Sequence, residues 1–165
     1  MWCLDRGSVF VRPTRHGDVV AIGDRLRKAD VDEIWASTHL GPMEALVMSR
    51  KASPICQTVV RGKEPIAIFG CAPEPERPLV AGVWFLATDE LSKIRHSFLR
   101  GSRECVQRML KEYPLLYNWV DARNTESIRW LKWCGATLED AKPFGPEGLP
   151  FHFFSIKRSE PCVSR

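Results

Sequence analysis

The order of helical and strand patterns along the 165 residues predicts a mixed α/β (α+β) domain. Helical spacing dominates the first third of the chain, and two-residue alternation with apolar runs dominates the middle. The stretch 79–135 then reads strand, helix, strand, helix, which has the character of parallel crossovers. We expect one domain over 1–158, with a central mixed sheet of about six to seven strands, about four to five flanking helices, and a flexible tail at 159–165.

The elements before residue 79 follow from apolar spacing and turn residues. A short β-like run at 9–13 opens the chain. Apolar residues at helical steps predict two short helices within 16–38 and a third from Pro42, because proline suits the first helical position. Strand-like runs on both sides of 61–64 predict a hairpin. The stretch 73–78 predicts a rigid polar loop before the next strand.

The second half of the chain alternates strands with helices. The apolar run at 79–88 is typical of a strand covered on both faces, and an apolar stripe predicts a helix over 97–113. Another apolar strand follows at 115–122. Asn124 predicts a helix start, because its side chain can accept from free first-turn amides, and Gly135 predicts the end of that helix.

The last part of the chain predicts two further strands around a loop. A short strand is expected at 136–140, and the last strand is expected at 151–158. The proline- and glycine-rich stretch 142–150 predicts a loop between them.

Composition excludes several classes of protein. No apolar run reaches about 20 residues, so we expect no membrane span. The first residues lack the features of a secretory signal, which favours a cytoplasm-like compartment. The six cysteines form no Cys-x-x-Cys pair. Four of them fall in apolar patterns, which predicts reduced, buried cysteines and no metal site: Cys56, Cys71, Cys105 and Cys134.

Charge gives no strong nucleic-acid signal. The net charge is +4, and basic residues cluster at 93–108. Their amphipathic spacing is more typical of a solvated helix face than of a nucleic-acid surface.

The sequence "LYNWVDARNTESIRWLKWCGA", residues 116–136, resembles the GNAT superfamily of N-acetyltransferases. In that family an Asn follows the fifth strand and opens the fourth helix in the pattern Asn-x-x-Ala/Ser, with Tyr four residues later and then Gly. Asn124, Ser127 and Gly135 match this pattern, whereas Leu131 holds the Tyr position. The resemblance implies a GNAT-like fold and, for an active enzyme, acetyl-CoA as cofactor.

The resemblance also implies where acetyl-CoA would bind in an active enzyme. The corresponding residues are Trp84, Phe85, Leu86, Arg95, Arg100, Asn124 and Ser127. A splayed strand pair at 84–86 and 117–120 with free amides would favour this activity.

A second resemblance covers more of the chain. The stretches 12–37, 42–46, 98–118 and 121–136 resemble the internal virion protein A family of short-tailed bacteriophages and prophages. That family has a GNAT-like fold and a role in virion assembly and in the internal core or ejection apparatus. The resemblance implies other virion proteins as partners. It implies the host cytoplasm during assembly, and then the virion interior, as locations.

The residues needed for acetyl transfer are incomplete. Diphosphate binding needs free amides at a helix N-terminus, which GNAT enzymes supply from a Gln/Arg-x-x-Gly-x-Gly/Ala loop. No segment of 88–104 fits that loop. Asp89 and Glu90 would repel phosphate, although Arg95 and Arg100 would attract it.

Proton transfer also lacks the family's usual acid, since leucine stands at position 131. Tyr113 and Tyr117 lie on other predicted elements. Candidates for the base are Glu44 and Asp121, and further Asp89 and His152. None of the four has a partner at a fixed spacing.

Three hypotheses follow, because one fold hosts many functions. The first is a phage virion or morphogenesis protein that has lost acetyl transfer. The second is an acetyl-CoA-dependent N-acyltransferase with an altered pyrophosphate loop. The third is a nucleic-acid-binding module that uses 93–108.

Overall fold

The computed structural model describes residues 2–3 and 9–159, with side chains for 9–159. The strands are β1 (Trp2–Cys3), β2 (Val9–Pro13), β3 (Ile55–Arg61), β4 (Glu64–Glu74), β5 (Arg77–Ala87), β6 (Leu115–Asp121), β7 (Thr137–Leu138), β8 (Lys142–Phe144) and β9 (Leu149–Lys157). The helices are α1 (His16–Gly23), α2 (Lys28–Thr38), α3 (Pro42–Ala52), a 3₁₀ helix (Asp89–Ile94), α4 (Arg95–Glu112) and α5 (Thr125–Trp133).

The described strands form one mixed sheet in the order β1-β2-β3-β4-β5-β6-β9-β7, and β8 also pairs with β9. β5 and β6 run parallel, whereas the other described pairs are antiparallel. Six strands have five or more residues, and β1, β7 and β8 have two or three. The prediction of one central mixed sheet of about six to seven strands with about four to five flanking helices is confirmed.

β5 and β6 separate along their length. Val80 to Gly82 pair with Leu115 to Tyr117, and the ladder ends there. β5 then follows β4 as far as the pair Ala67–Ala87, while β6 follows β9 as far as Asp121–Phe151. We call the space between Val83–Ala87 of β5 and Asn118–Asp121 of β6 the β5–β6 gap.

Helices cover both faces of the sheet. On one face, Val19 and Ile22 of α1 and Leu46 of α3 form a cluster with Cys56 and Ile68. On the other face, residues of α4 and α5 pack in a larger core, for example Met109, Leu110 and Leu131. The predicted buried cysteines are confirmed, since Cys56, Cys71, Cys105 and Cys134 are buried and free.

The prediction of a loop at 73–78 is wrong. β4 and β5 extend to Glu74 and Arg77, which pair across a tight turn and form an ion pair. Pro73 is tolerated in β4 because β3 already ends opposite Cys71. Its missing N–H therefore costs no ladder hydrogen bond.

The predicted loop at 142–150 is also partly wrong. Residues 142–144 form β8, which pairs with β9 from Lys142–Phe151 to Phe144–Leu149. Gly145 and Gly148 take φ values of +73° and +61° in the turn, a region where glycine costs little. The expected tail lies, from residue 160 on, outside the described residues.

Both ends of α5 agree with the sequence. Asn124 is the N-cap, and its side chain accepts from the Ser127 N–H. Gly135 has φ of +90°, as expected for the residue after a helix C-terminus. None of the described helices combines the length and apolar character that crossing a membrane requires.

Candidate functional site

The β5–β6 gap opens into a cavity of about 280 Å³. Its walls come from both separated strands, from α2 and α3, and from α5. Many of these side chains are aromatic: Trp84, Phe85, Trp119, Trp130, Phe144, Phe151 and Phe154. Two acidic side chains, Asp30 and Glu33 of α2, also line it. A concave, mostly apolar cavity with a few convergent polar groups is the usual form of a ligand site.

On the β5 side of the gap, several backbone groups form no hydrogen bond with another strand. The Ala87 N–H donates to the Asp30 carboxylate at 2.9 Å, and the Ala87 carbonyl accepts from the Arg27 N–H at 2.8 Å. Backbone groups of alternate strand residues face the same side. The N–H and C=O of Phe85 therefore face the gap too, beyond the last β5–β6 pair.

On the β6 side of the gap, side chains form hydrogen bonds with backbone groups at both ends. Asn118 donates to the Val83 carbonyl and accepts from the Trp119 N–H, both at 2.8 Å, so it bridges the gap where the strands part. At the far end, the Asp121 N–H donates to Glu33 at 3.4 Å, a long contact. The strands are splayed here, as an acyltransferase would require, but side chains of this chain already form hydrogen bonds with several backbone groups that face the gap.

Asp30 is a buried carboxylate in an ion pair. Arg27 donates two hydrogen bonds to it, at 2.7 and 3.1 Å, and the Asp30 side chain is 5% exposed. Burial raises its pKa, which the bonds from Arg27 and Ala87 only partly offset. Asp30 ties the start of α2 to the end of β5.

Glu33 lies one helical turn further along α2 and has neutral partners. Its carboxylate accepts from Asn124 Nδ2 at 2.9 Å and from the Asp121 N–H. Burial raises its pKa to about 7, helped by the nearby carboxylates of Asp30 and Asp121. A carboxyl that titrates near neutral pH in a cavity can serve as a general base.

Asn124 has two roles that the sequence does not separate. Its Oδ1 caps α5 by accepting from the Ser127 N–H at 3.2 Å, while its Nδ2 holds Glu33. The start of α5 is thus tied to α2 through one side chain.

The two catalytic candidates from the sequence lie in other surroundings. Glu44 is exposed on α3 and is not among the residues that line the cavity. Asp121 is 3% exposed and paired with Arg123 at 2.6 Å. Burial opposes ionisation of Asp121, but the side-chain and backbone hydrogen bonds from Arg123 outweigh it and lower its pKa. Asp121 orders the turn before α5, and a carboxylate so well solvated by its partners is a weak base.

A second cavity, of about 590 Å³, lies between the 3₁₀ helix, the start of α4 and α5. Arg95 lines it, together with Arg27 and Arg129, whereas Arg100 lines neither this cavity nor the first. The two cavities share Phe85, Ser127 and Trp130. Of the predicted cofactor residues, Trp84 and Leu86 line the first cavity, Arg95 lines the second, and Phe85 and Ser127 line both.

Three aromatic rings pack together beside the second cavity, and two of them, Phe85 and Trp130, also line the first. The ring centroids of Phe85, Phe98 and Trp130 are 5.2 to 5.4 Å apart. The Trp130 Nε1 atom is buried and, within the described residues, donates to no acceptor.

Neither Tyr113 nor Tyr117, the two tyrosines considered as proton donors, lines either cavity. Leu131, at the family's Tyr position, is 6% exposed and lines the first cavity. Tyr117 contacts Glu74 at 3.3 Å, near the opposite end of β5, and Tyr113 is packed against the α4 side of the core. His152 hydrogen-bonds to the Glu139 carbonyl.

Sequence reasoning missed Asp30 and Glu33. They sit in the run "ADVDEIW", residues 29–35, where three acidic positions look like a solvated helix face. The i,i+3 spacing places both acids on one side of α2. No local feature shows that this side faces the gap, because the gap is made by strands about 50 and 90 residues later.

Comparison with known proteins supports the fold and links one segment to phages. Residues 79–141 match the model of the family described as "Bacteriophage T7, probable scaffold protein Gp13". No curated protein matches the sequence.

Several solved acetyltransferases have similar structures. Ard1 from Thermoplasma volcanium has a TM-score of 0.72 and 12% identity, over 93% of this chain and 99% of that one. A GNAT-family acetyltransferase from Bacillus anthracis has a TM-score of 0.66 and 12% identity, over 93% and 96%.

Spermidine N-acetyltransferase from Vibrio cholerae, solved with CoA and spermine, has a TM-score of 0.63 and 14% identity, over 92% and 96%. At these identities the similarity concerns the fold alone. The chain has the fold of the GNAT acetyltransferases, and residues 79–141 resemble a phage scaffold-protein family.

Proposed function

We propose that residues 1–158 form a single-domain phage or prophage protein that acts in virion assembly and has lost acetyl transfer. The observation that carries the proposal is the match of residues 79–141 to a phage scaffold-protein family. This segment spans β5, the 3₁₀ helix, α4, β6, α5 and β7. It therefore includes both walls of the β5–β6 gap, where a GNAT enzyme would hold its cofactor.

The loss of acetyl transfer is supported by the segment between β5 and α4. A 3₁₀ helix, Asp89–Ile94, leads directly into α4, where a phosphate-binding loop would need an open turn of glycines. Its first turn carries Asp89 and Glu90, which disfavour an anion at a helix N-terminus. Glu90 is held there by Arg61 and Lys93, both at 2.7 Å.

The missing proton donor gives independent support. Leu131 lines the cavity at the position where the family's Tyr would stand, and leucine has no proton to give. We propose other virion proteins as partners, the host cytoplasm as the place of action during assembly, and the virion interior as the later location. No acceptor substrate is needed for such a role.

The alternative is an acetyl-CoA-dependent N-acyltransferase with an atypical pyrophosphate site. Two observations favour it: β5 and β6 are splayed, and Glu33, whose pKa is raised to about 7, lies in the cavity of the β5–β6 gap. In that reading Glu33 would take the proton from an amine, and Arg95 would attract the phosphates from the second cavity.

Titration with acetyl-CoA separates the two functions. A ligand at 100 times its Kd raises the free energy of unfolding by about 2.7 kcal/mol, which a thermal melt detects. We expect no rise in melting temperature at millimolar acetyl-CoA, with the Vibrio spermidine acetyltransferase as positive control. A saturable rise that Arg95→Ala abolishes would support the acyltransferase instead.

The assembly role has its own test. Particles and assembly intermediates purified from a host that carries the phage are analysed for this chain by mass spectrometry. We expect the chain in one or both fractions at a reproducible ratio to the major structural proteins. Absence from both fractions would contradict the proposal.

A further inference from the structure

Helices α4 and α5 present a surface rich in cationic side chains. Residues 89–133 carry nine Lys and Arg against six Asp and Glu, and so hold three of the four net positive charges of the chain. The two helices meet where Arg103 of α4 contacts Trp133 of α5. We call six exposed side chains around this contact the α4–α5 basic face: Arg100, Arg103, Lys111, Arg129, Lys132 and Trp133.

The α4 part of the basic face is one stripe of the helix. Its members follow one another at steps of three or four residues, which places them on one side of α4: Arg100, Arg103, Gln107 and Lys111. At 1.5 Å per residue, the stripe extends about 17 Å along the helix axis. Glu104 borders it, but Arg108 engages this carboxylate at 2.5 Å. The stripe therefore carries positive charge over a length that spans several phosphates of a nucleic acid strand, which follow one another about every 3.4 Å when stacked.

The cations of the basic face have no carboxylate partners in the described part of the chain. Within residues 9–159, none of its five Arg and Lys side chains forms an ion pair. Several arginines elsewhere, such as Arg12 and Arg61, are paired with Asp or Glu. Glu126, one helical turn before Arg129 on α5, also interacts electrostatically with Arg27. The positive charge of the face is thus directed to solvent, and a ligand with several negative charges complements it.

An exposed aromatic ring lies among these cations. Trp133 is 45% exposed, and its Nε1 donates to the Leu99 carbonyl at 3.1 Å. The Arg103 guanidinium lies 3.9 Å from the ring centroid, and its Nε donates to the Trp133 carbonyl at 2.7 Å. Contacts with α4 therefore fix the ring while nearly half of it remains open to solvent. Proteins that bind single-stranded nucleic acid combine such rings, on which bases stack, with cations that meet the phosphates.

The basic face extends outside both cavities. Arg129 and Trp133 line the second cavity, whereas the other four members line neither. A cofactor in that cavity would therefore leave most of the face free. Arg103 has a structural role, because it ties the end of α5 to α4. Within residues 9–159, the side chains of Arg100 and Lys132 form no hydrogen bond, so packing does not explain them.

The fold enlarges the basic cluster that is visible at 93–108 in the sequence. That cluster by itself is typical of a solvated helix face. The packing of α5 on α4 adds two further cations and an exposed ring to the same surface, from residues more than 20 positions later: Arg129, Lys132 and Trp133.

We infer that the α4–α5 basic face binds single-stranded nucleic acid. The strand runs along α4, with phosphates beside Arg100, Arg103 and Lys111, and a base stacks on the open part of Trp133. A single strand fits this surface better than a duplex, because the bases of a duplex are already stacked on one another and leave the ring unused. Charge and stacking carry no sequence information, so binding is expected to tolerate any sequence.

Binding of a labelled single strand to the full chain tests the inference. The probe is a fluorescein-labelled DNA of about 16 nucleotides and mixed sequence, a length within the range of known single-strand sites. Fluorescence anisotropy is measured between about 50 and about 200 mM salt. We expect saturable binding whose affinity falls as salt rises, with a slope of log K against log salt of about −2 to −3.5 for three to five phosphate contacts. No binding at about 100 μM protein in the lowest salt, or binding that ignores salt, would overturn the inference.

Two double variants of equal net charge locate the site. Arg100→Gln/Lys132→Gln removes two cations of the face that line neither cavity, and should weaken binding at 100 mM salt by more than about tenfold and flatten the slope by about 1.4. Lys51→Gln/Lys63→Gln removes two exposed cations from α3 and the β3–β4 turn, and should change affinity by less than about twofold. Equal losses in the two variants would show an effect of net charge alone and overturn the assignment.

The role of the ring has its own variant. Trp133→Leu keeps an apolar side chain but offers no stacking surface, and should weaken single-strand binding by about fivefold or more. A thermal melt checks that this variant is folded. Unchanged affinity in folded Trp133→Leu would overturn the stacking contact, and if the variant folds poorly the charge variants decide the test.

Two competitors distinguish a single strand from other polyanions. The duplex of the same sequence is expected to bind at least about tenfold more weakly, because it cannot use the ring. Polyglutamate at the same charge concentration is expected not to displace the probe. A duplex that binds as tightly, or displacement by polyglutamate, would overturn the choice of single-stranded nucleic acid as the ligand.

Discussion

Asp30 and Glu33 lie three residues apart on α2, yet the regions around them differ in how the carboxylate is balanced. Asp30 meets Arg27, which comes from the same stretch of chain, and a backbone N–H of β5. Glu33 meets Asn124 and the Asp121 N–H, which come from a region about 90 residues later. A local ion pair thus makes an acid a structural tie, whereas hydrogen bonds from neutral partners leave an acid sensitive to pH.

The largest expected effect is on the Asp30 side. Asp30→Ala leaves the partly buried Arg27 guanidinium without its counter-ion and removes the acceptor of the Ala87 N–H. Breaking a buried ion pair from one side costs about 3 to 5 kcal/mol. We expect a fall of that size in the free energy of unfolding measured with urea. Asp32→Ala, which breaks the exposed pair with Lys28, is the control and should cost less than about 0.5 kcal/mol.

The next effect concerns Glu33 and pH. Its folded-state pKa of about 7 lies above the ordinary value of 4.5. The folded state therefore binds a proton more tightly than the unfolded state, and stability is lost as pH rises from about 4.5 to about 7. Relative to Glu33→Gln, the wild-type free energy of unfolding should fall by about 1 to 3 kcal/mol between pH 5 and pH 8. Parallel pH profiles of the two proteins would contradict this.

A smaller effect separates the two roles of Asn124. Asn124→Ala removes the cap of α5 and a partner of Glu33, and should cost about 1 to 2 kcal/mol in urea unfolding. Asn124→Ser keeps a capping oxygen but lacks the amide donor, so it should cost less. Because the Asn124 hydrogen bond lowers the pKa of Glu33, Asn124→Ser should also shift the Glu33 titration upward. An unchanged titration would show that Asn124 does not contact Glu33.

The smallest effect is expected at the other end of α2. His39 forms a 3.1 Å contact with Glu147 of the β8–β9 turn, and both side chains are more than 40% exposed. Exposed pairs contribute little, and asparagine tolerates the positive φ of 57° at this position. His39→Asn should change the free energy of unfolding by less than about 0.5 kcal/mol. A larger loss would mean that the hairpin, rather than Asp30 and Glu33, holds α2.

Much of the fold followed from local patterns. Helical spacing predicted α1 to α5, and the choice of Asn124 and Gly135 as the ends of α5 is confirmed because both act through neighbouring backbone groups. The errors at 73–78 and 142–150 have one cause. Proline and glycine there were taken as signs of loops, but β5 and β9 supply strand partners that local propensity does not reveal.

The candidate site was predictable in part. Trp84, Phe85, Leu86 and Ser127 were expected beside the splayed strands and line its cavity. Asp30 and Glu33 were missed because their burial depends on residues far away in sequence. Conversely, Glu44 looked suitable by its place in an early helix, but the packing of α3 leaves its side chain in solvent.

By itself, the sequence determined the order of the elements, the ends of α5, the buried cysteines and the absence of a tyrosine at position 131. These properties depend on residue type and on neighbours within a few positions. The tertiary structure alone decided which carboxylate lies in the gap and what balances its charge. Burial and partner choice set the pKa of Glu33, and both arise only when side chains of α2 reach the ends of β5 and β6.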